Sequence, residues 1–158
     1  MQKNIAIAAL SLLSIACTTQ PPVDNSTPKK EHIGSWQLVS KTTTIRDSVT
    51  YSNLEGQKTI KILNEDHFAF FTHEVKTNPQ DTTEKVAPQF VSGAGSFTLN
   101  GRVYAEYLEY CNYREWENNK FEFDLEVKGD SLIQSGVEEI KELKINQTIV
   151  EKYIRIKE

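Results

Sequence analysis

Residues 93–110 read GAGSFTLNGRVYAEYLEY, two stretches of alternating character hinged on Asn100-Gly101. An Asn-Gly pair supplies both positive-φ positions of a type I′ turn, the two-residue connection whose twist suits antiparallel strands. That turn sets Leu99 opposite Arg102, Phe97 opposite Tyr104, Gly95 opposite Glu106, Gly93 opposite Leu108 and Val91 opposite Tyr110, all on one face. The other face carries Thr98 with Val103, Ser96 with Ala105, Ala94 with Tyr107 and Ser92 with Glu109. The first face is bulkier and more apolar and is assigned to the interior. Glu106 then points inward, beside glycines.

Residues 121–136, FEFDLEVKGDSLIQSG, repeat the pattern around Gly129-Asp130, where glycine in first place suits a type II′ turn. Val127 then pairs with Leu132, Leu125 with Gln134 and Phe123 with Gly136, while Glu122, Asp124 and Glu126 face solvent. A three-residue turn, Lys128 to Asp130, would instead bring Ile133 inward and turn Gln134 out.

Outward from these hairpins, period-two stretches bounded by turn residues predict strands near 34–45, 58–63, 67–74, 90–99, 102–110, 120–128, 131–137 and 148–156. Eight strands in a meander predict an all-β, antiparallel up-and-down barrel. Val137, Ile140 and Leu143 have helical spacing that Ile145 does not continue, so residues 138–146 read as a short helix or an extended excursion. Segments 46–57 and 75–89 read as long loops. A chain of 158 residues is the size of one domain, and seven Phe, six Tyr and two Trp can fill its core. With 18 basic against 22 acidic residues the net charge is −4, and Lys29-Lys30 is the largest basic cluster. Phosphate-backbone binding needs a positive footprint, so nucleic acid is excluded as an expected partner.

The first 16 residues carry one basic side chain, Lys3, and an uncharged run from Ile5 to Ala16. That run is shorter than the roughly 20 residues that cross a bilayer as a helix, and it reads as a secretory signal. Ser14-Ile15-Ala16-Cys17 resembles the bacterial lipobox, with Leu13 one place earlier than that pattern prefers. The resemblance implies a signal peptide at 1–16 and a mature chain beginning at lipidated Cys17. Acylation would make the membrane a partner, since each buried CH₂ contributes roughly 0.8 kcal/mol and stable anchoring takes more than one chain. Residues 17–32, rich in Pro, Ser, Thr and charge, read as a flexible tether, and 33–158 as the barrel domain. The implied location is the bacterial cell envelope, at the outer membrane facing the periplasm. Cys111 is the one other cysteine, which leaves no intramolecular disulfide once Cys17 is modified.

Each hairpin places one polar group, Glu106 or Gln134, among Phe, Tyr and Leu on an inner face whose glycines withhold volume. Ligand cavities in barrels are lined in this way. The reading is a small, largely apolar ligand bound against Phe70, Phe97, Tyr104, Tyr110, Phe121 and Phe123, with Glu106 and Gln134 orienting a polar head. A purely structural reading stands beside it: Glu106 pairs internally with Arg102, Arg114 or a tyrosine hydroxyl and locks the barrel. The alternative function is a protein interaction module with a filled barrel, docking through Tyr107, Phe71 and the 111–119 loop.

Gly34-Ser35-Trp36 resembles the Gly-x-Trp of lipocalins, and Tyr153-Ile154-Arg155 resembles their last strand, whose Arg lies across that Trp. With GSWQLVS at 34–40, KILNEDHFAFFTHE at 61–74 and the two hairpins, the chain resembles a family of bacterial lipocalin-like lipoprotein domains of unassigned function. Ile154 stands where that family often has a second Trp. The resemblance implies a calycin-type barrel closed by Trp36 and Arg155, and it supplies no catalytic residues. No Gly-x-Ser-x-Gly, Cys-x-x-Cys, phosphate loop or His-Glu-x-x-His motif occurs. His67 and His73 stand six positions apart on one predicted strand, about 20 Å, too far to share an ion. Glu106 and Glu109 point to opposite faces and cannot flank one glycosidic bond. No enzyme activity, metal or cofactor is expected.

Overall fold

The computed structural model describes residues 30–75 and 90–157. The expected signal peptide, Cys17 and most of the expected 17–32 tether and 75–89 loop lie outside the described residues. Among the described residues there are nine strands: β1 (Gly34–Ile45), β2 (Ser48–Tyr51), β3 (Gln57–Leu63), β4 (His67–Glu74), β5 (Phe90–Asn100), β6 (Val103–Cys111), β7 (Asn119–Lys128), β8 (Ser131–Ile140) and β9 (Ile145–Arg155). Strand β2 pairs only with the far half of β1, at Thr42–Ile45. The other eight form an antiparallel meander that β1–β9 pairing closes, from Trp36↔Arg155 to Thr44↔Thr148. The expected eight-stranded, lipocalin-like up-and-down barrel is the fold observed.

One segment differs from expectation, and another takes one of its two expected forms. The 46–57 loop contains β2, hinged on Arg46 at φ +54°. The 138–146 excursion is extended, because β8 runs on to Ile140 and β9 begins at Ile145 around a tight turn at 141–144. The helical spacing there carries no helix: Val137 is exposed and Ile140 buried, as alternation on a strand requires.

The Gly129-Asp130 hairpin has the expected register, with Val127↔Leu132, Leu125↔Gln134 and Phe123↔Gly136. The β5–β6 hairpin does not. Its loop is Gly101-Arg102, Asn100 pairs with Val103, and Leu99 lies opposite Tyr104 in place of Arg102. Asn100 does not adopt the positive φ a type I′ turn needs, whereas Gly101 does, at +60°. Each partner shifts by two residues, so the faces are unchanged and Glu106 still points inward, now opposite Phe97. Arg102 is exposed on the outer face, paired with Asp124.

A β-bulge between Ala94 and Gly95 then inserts one residue into β6, so that Ala94 pairs with Tyr110 and Gly93 with Cys111. This corrects the placement of Tyr110: past the bulge it is on the outer face, 67% exposed. The bulge also explains Gly95. A Cβ there would sit 1.9 Å from the Tyr107 carbonyl oxygen, so only glycine permits the approach.

The core fills one end of the barrel and continues along its wall to Leu108, Phe121, Ile149 and Ile140 toward the other. Trp36, Tyr104 and Leu132 are fully buried with Leu63, Phe68, Phe97, Leu125 and Tyr153 around them. Residues 31–33 cross that end. Trp36 Nε1 donates to the His32 carbonyl at 2.8 Å, and Arg155 stacks 4.1 Å from the Trp36 ring centre while donating to the Ile33 and Glu31 carbonyls. At the other end open the 52–56 loop, the 112–118 loop and the 141–144 turn.

Candidate functional site

At mid-height, alternation aims one residue from each of several strands at the barrel axis. The Lys61 ammonium, from β3, is 2% exposed and donates to Glu106 Oε1 on β6 and to Gln134 Oε1 on β8 at 2.5 Å. Its Nζ lies 5.2, 5.6 and 6.0 Å from the ring centres of Tyr104, Phe68 and Tyr153, a cage whose ring faces favour a cation. Glu106 thus has an internal partner, and it is Lys61. Arg102 and Arg114 are both spent on the surface, on Asp124 and Glu117. The buried Tyr104 hydroxyl makes no hydrogen bond among the described residues; burial and then the adjacent Glu106 carboxylate push its pKa up.

Above this joint a second layer continues toward the mouth. Lys41 Nζ donates to Glu151 Oε1 at 2.7 Å, and the Tyr153 hydroxyl donates to Glu151 Oε2 at 2.6 Å. Burial opposes ionisation of Glu151, but Lys41, Lys61 and these hydrogen bonds outweigh it and hold its pKa below the ordinary value. Lys41 is raised in turn, because Glu151 and Glu138 overcome its desolvation. Glu138 Oε2 accepts from Gln147 Nε2 at 2.7 Å, and burial raises its pKa. Thr59 and Thr72 share a hydroxyl hydrogen bond at 2.7 Å.

Between these layers and the mouth lies a cavity of about 300 Å³. Its wall is apolar at Leu38, Leu54, Phe70, Val91, Phe123 and Ile149, and polar at Lys41, Thr59, Lys61, Thr72, Glu106, Gln134, Glu138 and Glu151. A pocket of about 480 Å³ under the 112–118 loop shares Lys41, Phe70, Val91 and Glu138 with it, and adds Cys111, Tyr113 and Trp116. Trp116 is half-buried, its ring centre 6.0 Å from that of Phe121.

Of the eight residues expected to form a binding wall, Phe70, Phe123, Glu106 and Gln134 line the cavity. Phe97, Tyr104 and Phe121 point inward but pack in the core, with Phe97 and Tyr104 centred 5.0 Å apart. Tyr110 is outside. The volume that glycines were expected to leave for a guest is taken by the chain itself. A Cβ on Gly93 would lie 2.6 Å from the Phe70 ring, and one on Gly136 2.7 Å from that of Phe123.

Lys41, Lys61, Glu138 and Glu151 were not visible from the sequence. In β3, QKTIKIL, hydropathy favours turning Ile60 and Ile62 inward; the structure turns Thr59, Lys61 and Leu63 inward instead. The signal that finds Lys61 is register: it pairs with Phe70 and so shares Phe70's face. His67 and His73 are exposed, and His67 Nδ1 is hydrogen-bonded to Asp66. No group of three or more potential metal ligands occurs among the described residues.

No family model matches the chain, and comparison with curated proteins and with solved structures finds no significant match. The lipocalin-like resemblance therefore rests on the residues that carry it.

Proposed function

We propose that this chain is a lipid-anchored protein of the bacterial cell envelope, tethered through Cys17 to the outer membrane on its periplasmic side, whose barrel binds a small molecule near its mouth. The observation that carries the binding part is the cavity of about 300 Å³ above a filled, ion-paired lower half. Its divided wall supports a guest with an apolar body and a polar end, in place of the largely apolar guest the aromatic residues suggested. Affinity would come chiefly from apolar burial, at about 25 cal/mol per Å² before the costs of association. Binding without chemistry fits the ionisable groups, most of which are paired with one another.

Native mass spectrometry of the mature chain, released gently from membranes, tests both halves. The expected result is a diacylglyceryl-modified, N-acylated Cys17 together with an exchangeable small-molecule adduct. Cys17→Ser should move the protein from the membrane to the soluble fraction. An unmodified Cys17 overturns the anchor, and a chain that stays adduct-free through lipid, amine and aromatic libraries overturns the binding role.

The packed lower half favours a second reading, an interaction module docking through its outer face. Tyr107, Phe71 and the 111–119 loop are its contacts. Recovery of one stoichiometric envelope partner, lost on loop deletion and indifferent to the cavity residues, would decide for it.

A further inference from the structure

We infer that the cavity selects a small organic cation, an amine on a short apolar or aromatic body, with Glu138 as its counter-charge. The inference rests on the binding role proposed above and assigns its ligand class. Three carboxylates line the cavity, Glu106, Glu138 and Glu151, against two ammonium groups, Lys41 and Lys61. Both ammonium groups are committed, Lys61 to Glu106 and Lys41 to Glu151. The second Glu151 oxygen takes the Tyr153 hydroxyl. Glu138 accepts from the neutral amide of Gln147 and feels Lys41 at a distance, but Lys41 is bonded to Glu151 and Glu138 forms no ion pair of its own among the described residues. The wall is one positive charge short, and the shortage sits on a single side chain.

Glu138 is also where an incoming molecule would reach it, since it lines both the cavity and the pocket under the 112–118 loop. Phe70 borders both spaces and Trp116 the outer one, giving ring surface for the body of the guest and ring faces that attract a cation. A partly buried carboxylate without a cation carries a desolvation cost that a bound ammonium would offset. An anionic head finds neither lysine free and meets the uncompensated carboxylate. A neutral head gains hydrogen bonds but leaves the charge unmatched.

Isothermal titration of the full mature chain at pH 7.5 with 2-phenylethylamine, 2-phenylethanol and 3-phenylpropanoate separates the cases. The amine should bind at least tenfold more tightly than the alcohol, with the carboxylate weakest. Glu138→Gln, which keeps a partner for Gln147 and removes the charge, should cost the amine tenfold or more and leave the alcohol within twofold. If the alcohol or carboxylate matches the amine, or if Glu138→Gln leaves amine affinity unchanged, the cation assignment falls while the cavity stands as a binding site. If a chain that melts cooperatively binds none of the three, the cation assignment falls, and the adduct search across lipid, amine and aromatic libraries decides the binding role separately.

Discussion

An ammonium group on a side chain with 2% exposure inside a β-barrel needs counter-charge, and Lys61 takes it from Glu106, while Gln134 accepts a second hydrogen bond and three aromatic rings surround it. Lys61→Met would strand Glu106 in the core, a loss of about 3–5 kcal/mol for a broken buried pair. Adding Glu106→Leu should recover most of that loss. Urea unfolding of the two variants checks it, and a single mutant within 1 kcal/mol of the parent, on the order of a surface pair, would show the joint to be dispensable. The mouth carboxylates respond to acid in opposite ways. Glu151 is depressed from its ordinary value of 4.5, so its stabilising contribution is present above pH 4.5 and is lost as pH falls through its lower folded-state value. Glu138 is raised from 4.5, so ionising it destabilises the fold above that range and has no effect below pH 4.5. Glu138→Gln should therefore raise the melting temperature at pH 7 and lose that advantage by pH 4, read from thermal melts at the two pH values.

On the scale of strands, two glycines do different work. Gly95 sits at the β5–β6 bulge with the Tyr107 carbonyl where a Cβ would be, and backbone cannot move aside as a flexible side chain can. Gly129, at φ +58° in the β7–β8 turn, has nothing within 4 Å of its Cβ direction and matters only for its backbone conformation. Gly129→Ala should cost about 1–2 kcal/mol, the left-handed penalty. Gly95→Ala should cost more than that and straighten the bulge, turning Tyr110 toward the interior. Denaturant unfolding ranks the two; tyrosine fluorescence quenching by iodide reports on Tyr110. Equal costs would mean that the bulge can absorb a methyl group.

For the whole molecule the decisive act is closure, because β1 and β9 come from opposite ends of the described chain and meet along eight residue pairs. Arg155 finishes that seam: its guanidinium covers Trp36 and reaches the Glu31 and Ile33 carbonyls, tying residues 31–33 across the closed end. Lysine keeps the charge but loses the planar stack and the forked donation. Arg155→Lys should cost about 1–2 kcal/mol and speed amide exchange in residues 31–36, with exchange around the mouth unchanged. Hydrogen exchange followed by mass spectrometry gives the answer; exchange that rises equally at both ends would mean the seam opens as a unit.

The sequence by itself determined the strand period, the number of barrel strands and the parity of the β5–β6 faces, and it narrowed the β7–β8 register to two alternatives of which the two-residue turn is the one formed, because alternation and tight turns are local facts of the chain. It misjudged the β5–β6 register by two residues and missed the bulge, since Asn100 and Gly101 permit more than one turn and nothing local marks the inserted residue. Glu106 and Gln134 could be placed inward, yet their partner could not be named. Lys61 reads outward on hydropathy, and only Phe70 across the β3–β4 ladder assigns its face. The tertiary structure alone decided how the interior charges are matched. Lys41, Lys61, Glu106, Gln134, Glu138 and Glu151 come from β1, β3, β6, β8 and β9. Coulomb attraction depends on distance through space, and only a closed barrel sets those distances.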